Sequence, residues 1–506
     1  MSSVAGSQLE RIARGGTAAL AGAGVAAVAN FAVVVVITQA FSKDDAGALF
    51  SASSLFLIVL AVAGLGIETG LGRFVLRHVA EGRWDWARAC LSNTALVTVT
   101  VSAVAAVGLW VAAAPIAVAI GISGDEGPGL IRVFSVAVVA AAVGHWALGA
   151  SRAFANIAQT VLIDKLARSL MQLGLVAACA AAATGLIPLA VAWVAPAVLL
   201  APVAVIGLLR VTRRTFPADA PRGRAPGAVR EFWLFTAPRS IAQVAQLIVQ
   251  RLDIILIAAM LTPAAAAVYT AATRFVPLGQ LGQQAIAQVV QPRFTHLLAT
   301  EQRAALGEVF RTTTAWNIAV AWPIYLVVAS MAGVYLQLFG SGFAADGVAV
   351  VLVMAVGMLV GIAAGPIDTI LLMAGRSWLS LGNALAALVI DLVGCLVLIP
   401  PLGILGAAVA WCAAIVTKSV LAYVQVGLHV GLSPISRASV IVAVSAVVAF
   451  AVPGAILTLT GHANVFTLIG LLVLGGCVYA AALWRNRSVL RLRALRALLP
   501  GRRRNA

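Results

Sequence analysis

Residues 238–260 read PRSIAQVAQLIVQRLDIILIAAM, and residues 269–291 read YTAATRFVPLGQLGQQAIAQVVQ. Both stretches are apolar enough to be membrane helices, yet each carries a row of polar side chains that a lipid-facing helix would not tolerate. In the first, Arg239, Gln243, Gln246, Gln250 and Asp253 follow one another at steps of three or four, which puts them on one helical face. In the second, Arg274 precedes Gln280, Gln284, Gln288 and Gln291, the glutamines again at steps of three or four. A turn at Thr262-Pro263 separates the two. Two wet stripes on adjacent apolar helices predict a polar cavity inside a membrane protein.

The rest of the chain agrees with a membrane protein. Of its 506 residues, 62% are hydrophobic and 10% are charged, whereas a soluble chain is about a quarter charged. Apolar runs recur from end to end at lengths that fit a hydrocarbon core of about 30 Å. The fold expected is an all-α polytopic membrane protein with about 14 spans. The net charge of +17 raises the question of nucleic acid. Most of the 34 Lys and Arg fall in alternate loops or in the two tails, with Lys43 and Arg132 on the opposite side and the remaining few inside apparent spans. That is the positive-inside pattern, which predicts N-in/C-in orientation and explains the basic charge with no nucleic-acid partner. Cys90, Cys179, Cys395, Cys412 and Cys477 are scattered, which implies neither a metal site nor a disulfide framework. The first apolar run, 15–40, is too long for a signal peptide and reads as the first span.

The remaining spans are expected near 47–68, 90–114, 131–151, 166–183 and 187–209, then, after the opening pair, 312–332, 346–373, 378–400, 403–428, 437–457 and 465–484. Between the second and third, LGRFVLRHVAEGRWDWARA reads as an interfacial segment that snorkels its arginines. The Pro- and Arg-rich stretch 211–231 reads as a cytoplasmic linker. It divides an N-terminal lobe, 1–210, from a C-terminal lobe, 232–430, followed by two extra helices at 431–484 and a basic cytoplasmic tail at 485–506. An internal repeat supports two six-helix lobes. AVAW occurs at 190–193 and at 408–411, each soon after a glycine (Gly185, Gly403). Arg73-Phe74 matches Arg293-Phe294, and AGALFSAS at 46–53 matches AAAVYTAA at 265–272, all at nearly one offset. An even number of spans per unit makes the repeats parallel.

Charged groups inside spans usually face an interior or a cavity. Glu68, Arg239, Arg251, Asp253, Arg274, Asp368, Asp391 and Lys418 are the candidates, with Arg274, Asp391 and Lys418 deepest. Asp391 and Lys418 read either as a buried ion pair or as groups that handle a coupling ion. Arg239 and Arg274 read either as partners of Asp253 and backbone carbonyls or as cavity cations. The glutamines extend the polar face beyond what one ion pair needs, which favours the cavity. Arginine forks match phosphate oxygens, and glutamine amides both donate to and accept from sugar hydroxyls. Arg251 points away from Gln250 and ranks below the other two arginines. His145, beside Trp146, reads as a satisfied interior residue.

GLGIETGLGRF at 64–74, RLDIILIAAMLTPAAAAVYTAATRF at 251–275 and LGILGAAVAW at 402–411, together with the span plan, resemble the polysaccharide flippases. Those belong to the multidrug/oligosaccharidyl-lipid/polysaccharide (MOP) exporter superfamily. The resemblance implies two six-helix lobes and alternating access that carries a polyprenyl-diphosphate-linked oligosaccharide to the outer leaflet of the plasma membrane. It also implies that Arg239 and Arg274 hold the diphosphate. A proton or sodium gradient would be coupled through Asp253, Asp391 or Glu68, and other polysaccharide-assembly membrane proteins would be partners. No organic or metal cofactor is expected. A drug/cation antiporter of the superfamily would want an acidic residue deep in the first lobe, where the first span offers Asn30 and Gln39. A lipid II flippase would concentrate arginines in the first two spans. A membrane glycosyltransferase is the rival from another class, through Asp44-Asp45, but the short outer loops give no acceptor domain. There is no GxxxxGK[ST] motif to bind ATP.

Overall fold

A computed structural model of the chain describes residues 2–122, 124–154, 157–217 and 225–490. The side chains of 2–20 and of Ile157, Pro226, Pro238, Ala242, Gln288, Pro292 and Ser377 lie outside that description. The basic tail is therefore described only as far as Leu490, and the linker only at 211–217 and 225–231. The described chain is helical and contains no strand. In order, the helices are α1 Ser2–Ala40, α2 Lys43–Gly64, α3 Ile67–Ala80, α4 Trp84–Val111, α5 Ala113–Ala119 and α6 Glu126–Ala153. A short α7, Ile157–Thr160, runs through a π-turn, Val161–Ala167, into α8, Arg168–Ala181. There follow α9 Leu186–Thr215, α10 Pro226–Val249, α11 Leu252–Met260, α12 Pro263–Thr273, α13 Val276–Ala299, α14 Arg303–Ser330 and α15 Ala332–Gln337. The chain continues with α16 Phe343–Ala363, α17 Ile367–Met373, α18 Ser377–Leu402 and α19 Ile404–Val430. Last come α20 Arg437–Ala446, a second π-turn, α21 Val452–Leu459 and α22 Val465–Arg485.

Eleven of the described helices are long and apolar enough to cross a membrane, or twelve if α10 and α11, bent by 43°, form one span. Two of the 14 expected spans fall outside that set for identifiable reasons. The π-turn leaves only 14 residues in α8, and α13 is long enough but diluted with glutamine. The outer faces are greasy: Leu459 is 87% exposed, Phe466 84% and Leu428 78%. In water such exposure would be an aggregation hazard; in a bilayer it is the lipid contact.

Several expected boundaries shift because helical structure continues where hydropathy stops. The helix expected from 90 begins at Trp84, and the one expected from 312 begins at Arg303. The arginine-rich segment after the second span is largely helical as well. It forms α3 and the start of α4, joined by a turn in which Gly82 has φ +70°. One face of α3, with Leu71, Phe74 and Val75, is buried in a core, while Arg73 lies 4.3 Å from the Phe235 ring centre.

Packing divides the chain into two compact units, 15–267 and 268–506, the latter with 1–14. In the first, Phe56, Phe134 and Trp193 form a ring cluster with centroids 5.4–6.0 Å apart. A second core gathers Phe74, Cys90, Leu208 and Phe232. The helix α10 packs within this unit: Phe232 meets Phe74 at 5.8 Å, Trp233 Nε1 donates to Asn93 Oδ1 at 2.8 Å, and Arg77 pairs with Glu231 at 2.8 Å. In the second unit, Tyr325 and Tyr335 flank Phe275 and donate to the carbonyls of Val276 and Ala271, each at 2.8 Å. Its core joins Phe294, Phe310, Ile370 and Val426. The hairpin of α18 and α19 is stitched by two reciprocal amide bonds between Asn383 and Gln425, at 2.7 and 2.9 Å.

The repeated motifs occupy matching positions in the two units. Gly185 caps α9 and Gly403 caps α19, and each AVAW begins at the fifth residue of its helix. Phe74 and Phe294 are both buried in core clusters, and Phe50 and Tyr269, at the other matched pair, are both buried as well.

Candidate substrate cavity

Within 268–506 a cavity of about 310 Å³ opens among α13, α14, the α16–α17 break and α19. Its polar lining includes Gln280, Gln283 and Gln284 on α13, Asn317 on α14, Asp368 at the start of α17 and Lys418 on α19, beside threonine and serine hydroxyls. The break that creates one wall is dictated locally. Pro366 cannot donate into a helix, and Gly365 adopts φ +76°. A Cβ at Gly365 would stand 2.2 Å from Thr314 Oγ1. The chain therefore leaves the helix at Ala364 and re-enters it at Ile367, with Asp368 in the first turn of α17, where an N-terminus favours a carboxylate.

Lys418 Nζ lies 2.8 Å from Asp368 Oδ2. The cavity thus contains both members of an ion pair rather than a lone charge. Asn317 is 4% exposed, and its Oδ1 has no hydrogen-bond partner among the described residues. A buried amide oxygen of this kind calls for a donor from water or a bound molecule. Glutamine amides and one asparagine, each both donor and acceptor, beside a neutralised ion pair make a surface suited to polyhydroxylated, weakly charged groups.

Within 15–267 a second cavity, of about 290 Å³, lies between α2, α3, α4, α6 and α10. Glu68, Thr98, His145, Trp146 and Gln243 line it. Glu68 is bonded to Arg152, and Trp146 Nε1 donates to Thr94 Oγ1 at 3.1 Å. The α2–α3 break packs directly on α10, with Ser240 Oγ bonded to the Leu65 carbonyl and Gln243 reaching Thr69 Oγ1 at 3.4 Å.

The two sequence stripes meet different fates. Arg239, Gln243, Gln246 and Gln250 share an exposed face of α10, and the Arg239 guanidinium stands 5.8 Å from the Phe235 ring centre. The stripe ends there. The helix breaks at Gln250-Arg251, so Asp253 moves onto α11, is 4% exposed, and accepts from the Ile254 N–H at 2.8 Å. Arg274 lies in the α12–α13 break and outside the lining of the 310 Å³ cavity. Gln280 and Gln284 do line it, and the Gln288 side chain lies outside the described residues.

Asp391 is 1% exposed on α18, with Cys395 Sγ at 4.0 Å from its Oδ1. Lys418, expected beside Asp391, stands against Asp368, and Glu68 stands against Arg152. Sequence reasoning missed Gln283 and Asn317. Gln283 sits one position off the stripe, and Asn317 is a single polar residue in an apolar run. The Gly365-Pro366 break was a visible signal for the Asp368 wall.

The architecture is that of a polytopic, all-helical membrane protein. Solved structures of the MOP superfamily share its fold. A lipid II flippase MurJ in an inward closed conformation is 11% identical over 93% of this chain and 98% of its own, with a TM-score of 0.69. An inward-facing multidrug resistance MATE family transporter of the MOP superfamily is 14% identical over 80% and 95%, with a TM-score of 0.63. A MOP superfamily transporter from Pyrococcus furiosus, described by a reversed polarity of its binding pocket, is 15% identical over 84% and 96%, with a TM-score of 0.54. The chain itself belongs to the polysaccharide biosynthesis protein family, whose profile matches residues 46–344. No curated relative matches it.

Proposed function

We propose that this protein moves a polyprenyl-diphosphate-linked oligosaccharide from the inner to the outer leaflet by alternating access, for cell-surface polysaccharide synthesis. The observation that carries the reading is the amide-lined cavity of 268–506. Gln280, Gln283, Gln284 and Asn317 converge on one space inside a bundle whose outer face is apolar. A hydrophobic drug site has little use for four amides. Sugar hydroxyls, which donate and accept in the same reach, match them. In this reading Arg239 and Arg274 engage the diphosphate, since guanidinium forks hold phosphate oxygens bidentately. Membership of a polysaccharide biosynthesis family supports the glycan part.

The test is translocation in proteoliposomes carrying a lipid-linked oligosaccharide, read by its accessibility to an added glycosidase. Wild type should expose the glycan. The double variant Gln280→Leu, Gln284→Leu should slow exposure about tenfold, the equivalent of one or two lost hydrogen bonds, while keeping its thermal unfolding midpoint. Wild-type rates in that variant would remove the cavity from the pathway. A wild-type protein that moves drug cations and no glycolipid would overturn the substrate class.

A further inference from the structure

A different cavity, of about 750 Å³, opens in 268–506 at the loop-bearing ends of α14, α19 and α20. Arg303 and Arg311 come from α14, Arg437 from the first turn of α20, and Glu308 is the one carboxylate in the lining. Among the described residues, the side chains of Arg303 and Arg437 make no hydrogen bond or ion pair, and Arg311 Nε donates to the Ser433 carbonyl at 3.4 Å. Arginines at this end of the helices follow from the positive-inside pattern, but that pattern asks only for their presence in loops. Here they surround a space that the chain has built. Arg303, Gly307 and Arg311 are spaced by four along α14 and share one face. Gly307 leaves the room between them, since a Cβ there would press on Leu432 at 3.1 Å.

The segment after α22 supplies a further wall through Val489. It is held in place by Trp316, whose Nε1 donates to the Leu490 carbonyl at 3.0 Å, with Leu490 1% exposed. The α14 and α20 N-termini both open on this space, and helix N-termini favour anions. Three guanidinium groups against one carboxylate, in a volume larger than a bare phosphate needs, fit a phosphate with a substituent attached.

We propose that this cavity binds the headgroup of an anionic glycerophospholipid from the leaflet on the basic side of the membrane. Basic pockets between spans at that interface bind phosphate-bearing headgroups, and the site stands apart from the amide-lined cavity. The test uses the full chain in detergent, titrated with phosphatidylglycerol or with phosphatidylcholine and read by native mass spectrometry. Wild type should retain phosphatidylglycerol in preference to phosphatidylcholine. The double variant Arg303→Gln, Arg437→Gln should weaken phosphatidylglycerol retention about 25-fold, at about fivefold per arginine, and leave phosphatidylcholine unchanged. Both side chains are exposed, so the variant should keep its unfolding midpoint, and Arg303→Lys, Arg437→Lys should restore most of the retention. Equal phosphatidylglycerol retention in wild type and the Gln variant would overturn the proposal. So would displacement of the lipid by millimolar inorganic phosphate, which would make the site one for free phosphate. Neither result depends on whether the glycolipid is transported.

Discussion

At the scale of single residues, the pair Lys418 and Asp368 is the most exposed to test. The two side chains are 18% and 39% exposed and 2.8 Å apart at the wall of the amide-lined cavity. Removing either partner leaves the other charge beside a low-dielectric surface. Partial exposure screens the loss, so Lys418→Met or Asp368→Asn should each destabilise the protein by roughly 1–3 kcal/mol. The double variant should cost less than the two added together, because both substitutions remove the same contact. Thermal unfolding in detergent of the four proteins gives the coupling, and strict additivity would show that the contact contributes no energy. The sequence marked both residues as intramembrane charges but could not match them. Depth along a helix is readable from the sequence; which face of which neighbour it meets is not. The same limit applies to Gln283 and Asn317, whose neighbours in the chain give no hint that α13 and α14 face a shared space.

At the scale of elements, the breaks matter more than the spans. Periodicity predicts one continuous helix over 238–260, with the polar stripe running through to Asp253. The kink at Gln250-Arg251 rotates the remainder, and Asp253 becomes a buried residue that bonds the backbone beside it. The α16–α17 break is the one that builds the cavity wall. Gly365→Ala forces a side chain into a left-handed backbone and against Thr314, so it should destabilise the protein by about 2–4 kcal/mol. Adding Thr314→Ala should recover only the steric part. An unfolding midpoint unchanged by Gly365→Ala would mean that the break relaxes freely. Hydropathy predicts one span over 346–373, yet Gly365 and Pro366 interrupt it between Ala363 and Ile367; hydropathy carries no trace of such a break, and its angle depends on what packs against it.

At the scale of the whole molecule, orientation is the open prediction, and it comes from charge alone. Single cysteines in a cysteine-free background at Gly82, Glu301, Gly375 or Leu432 should react with an impermeant maleimide only from the cytoplasmic side. Cysteines at Ser42, Gly342, Gly403 or Gly461 should react only from outside. The opposite pattern would invert the positive-inside reading, and two adjacent loops labelling from the same side would remove a span. The inner positions include the loops around the arginine cavity, so the same experiment assigns the leaflet whose lipids it meets.

The sequence by itself determined the class of this protein. Apolar runs of span length and a repeated AVAW after a capping glycine follow from local composition and period, and eleven helices, or twelve with the bent pair, stand where those features require them. It also flagged that glutamines on α13 line a polar space, because amides on an apolar helix have few other uses. Tertiary structure decided the rest: that Lys418 stands against Asp368, that Asp253 leaves its stripe, and that Arg437 joins Arg303 and Arg311 of a distant helix around one space. Those outcomes depend on bend angles and on which helix faces pack together, which are set by contacts between residues far apart in sequence and leave no periodic trace in it.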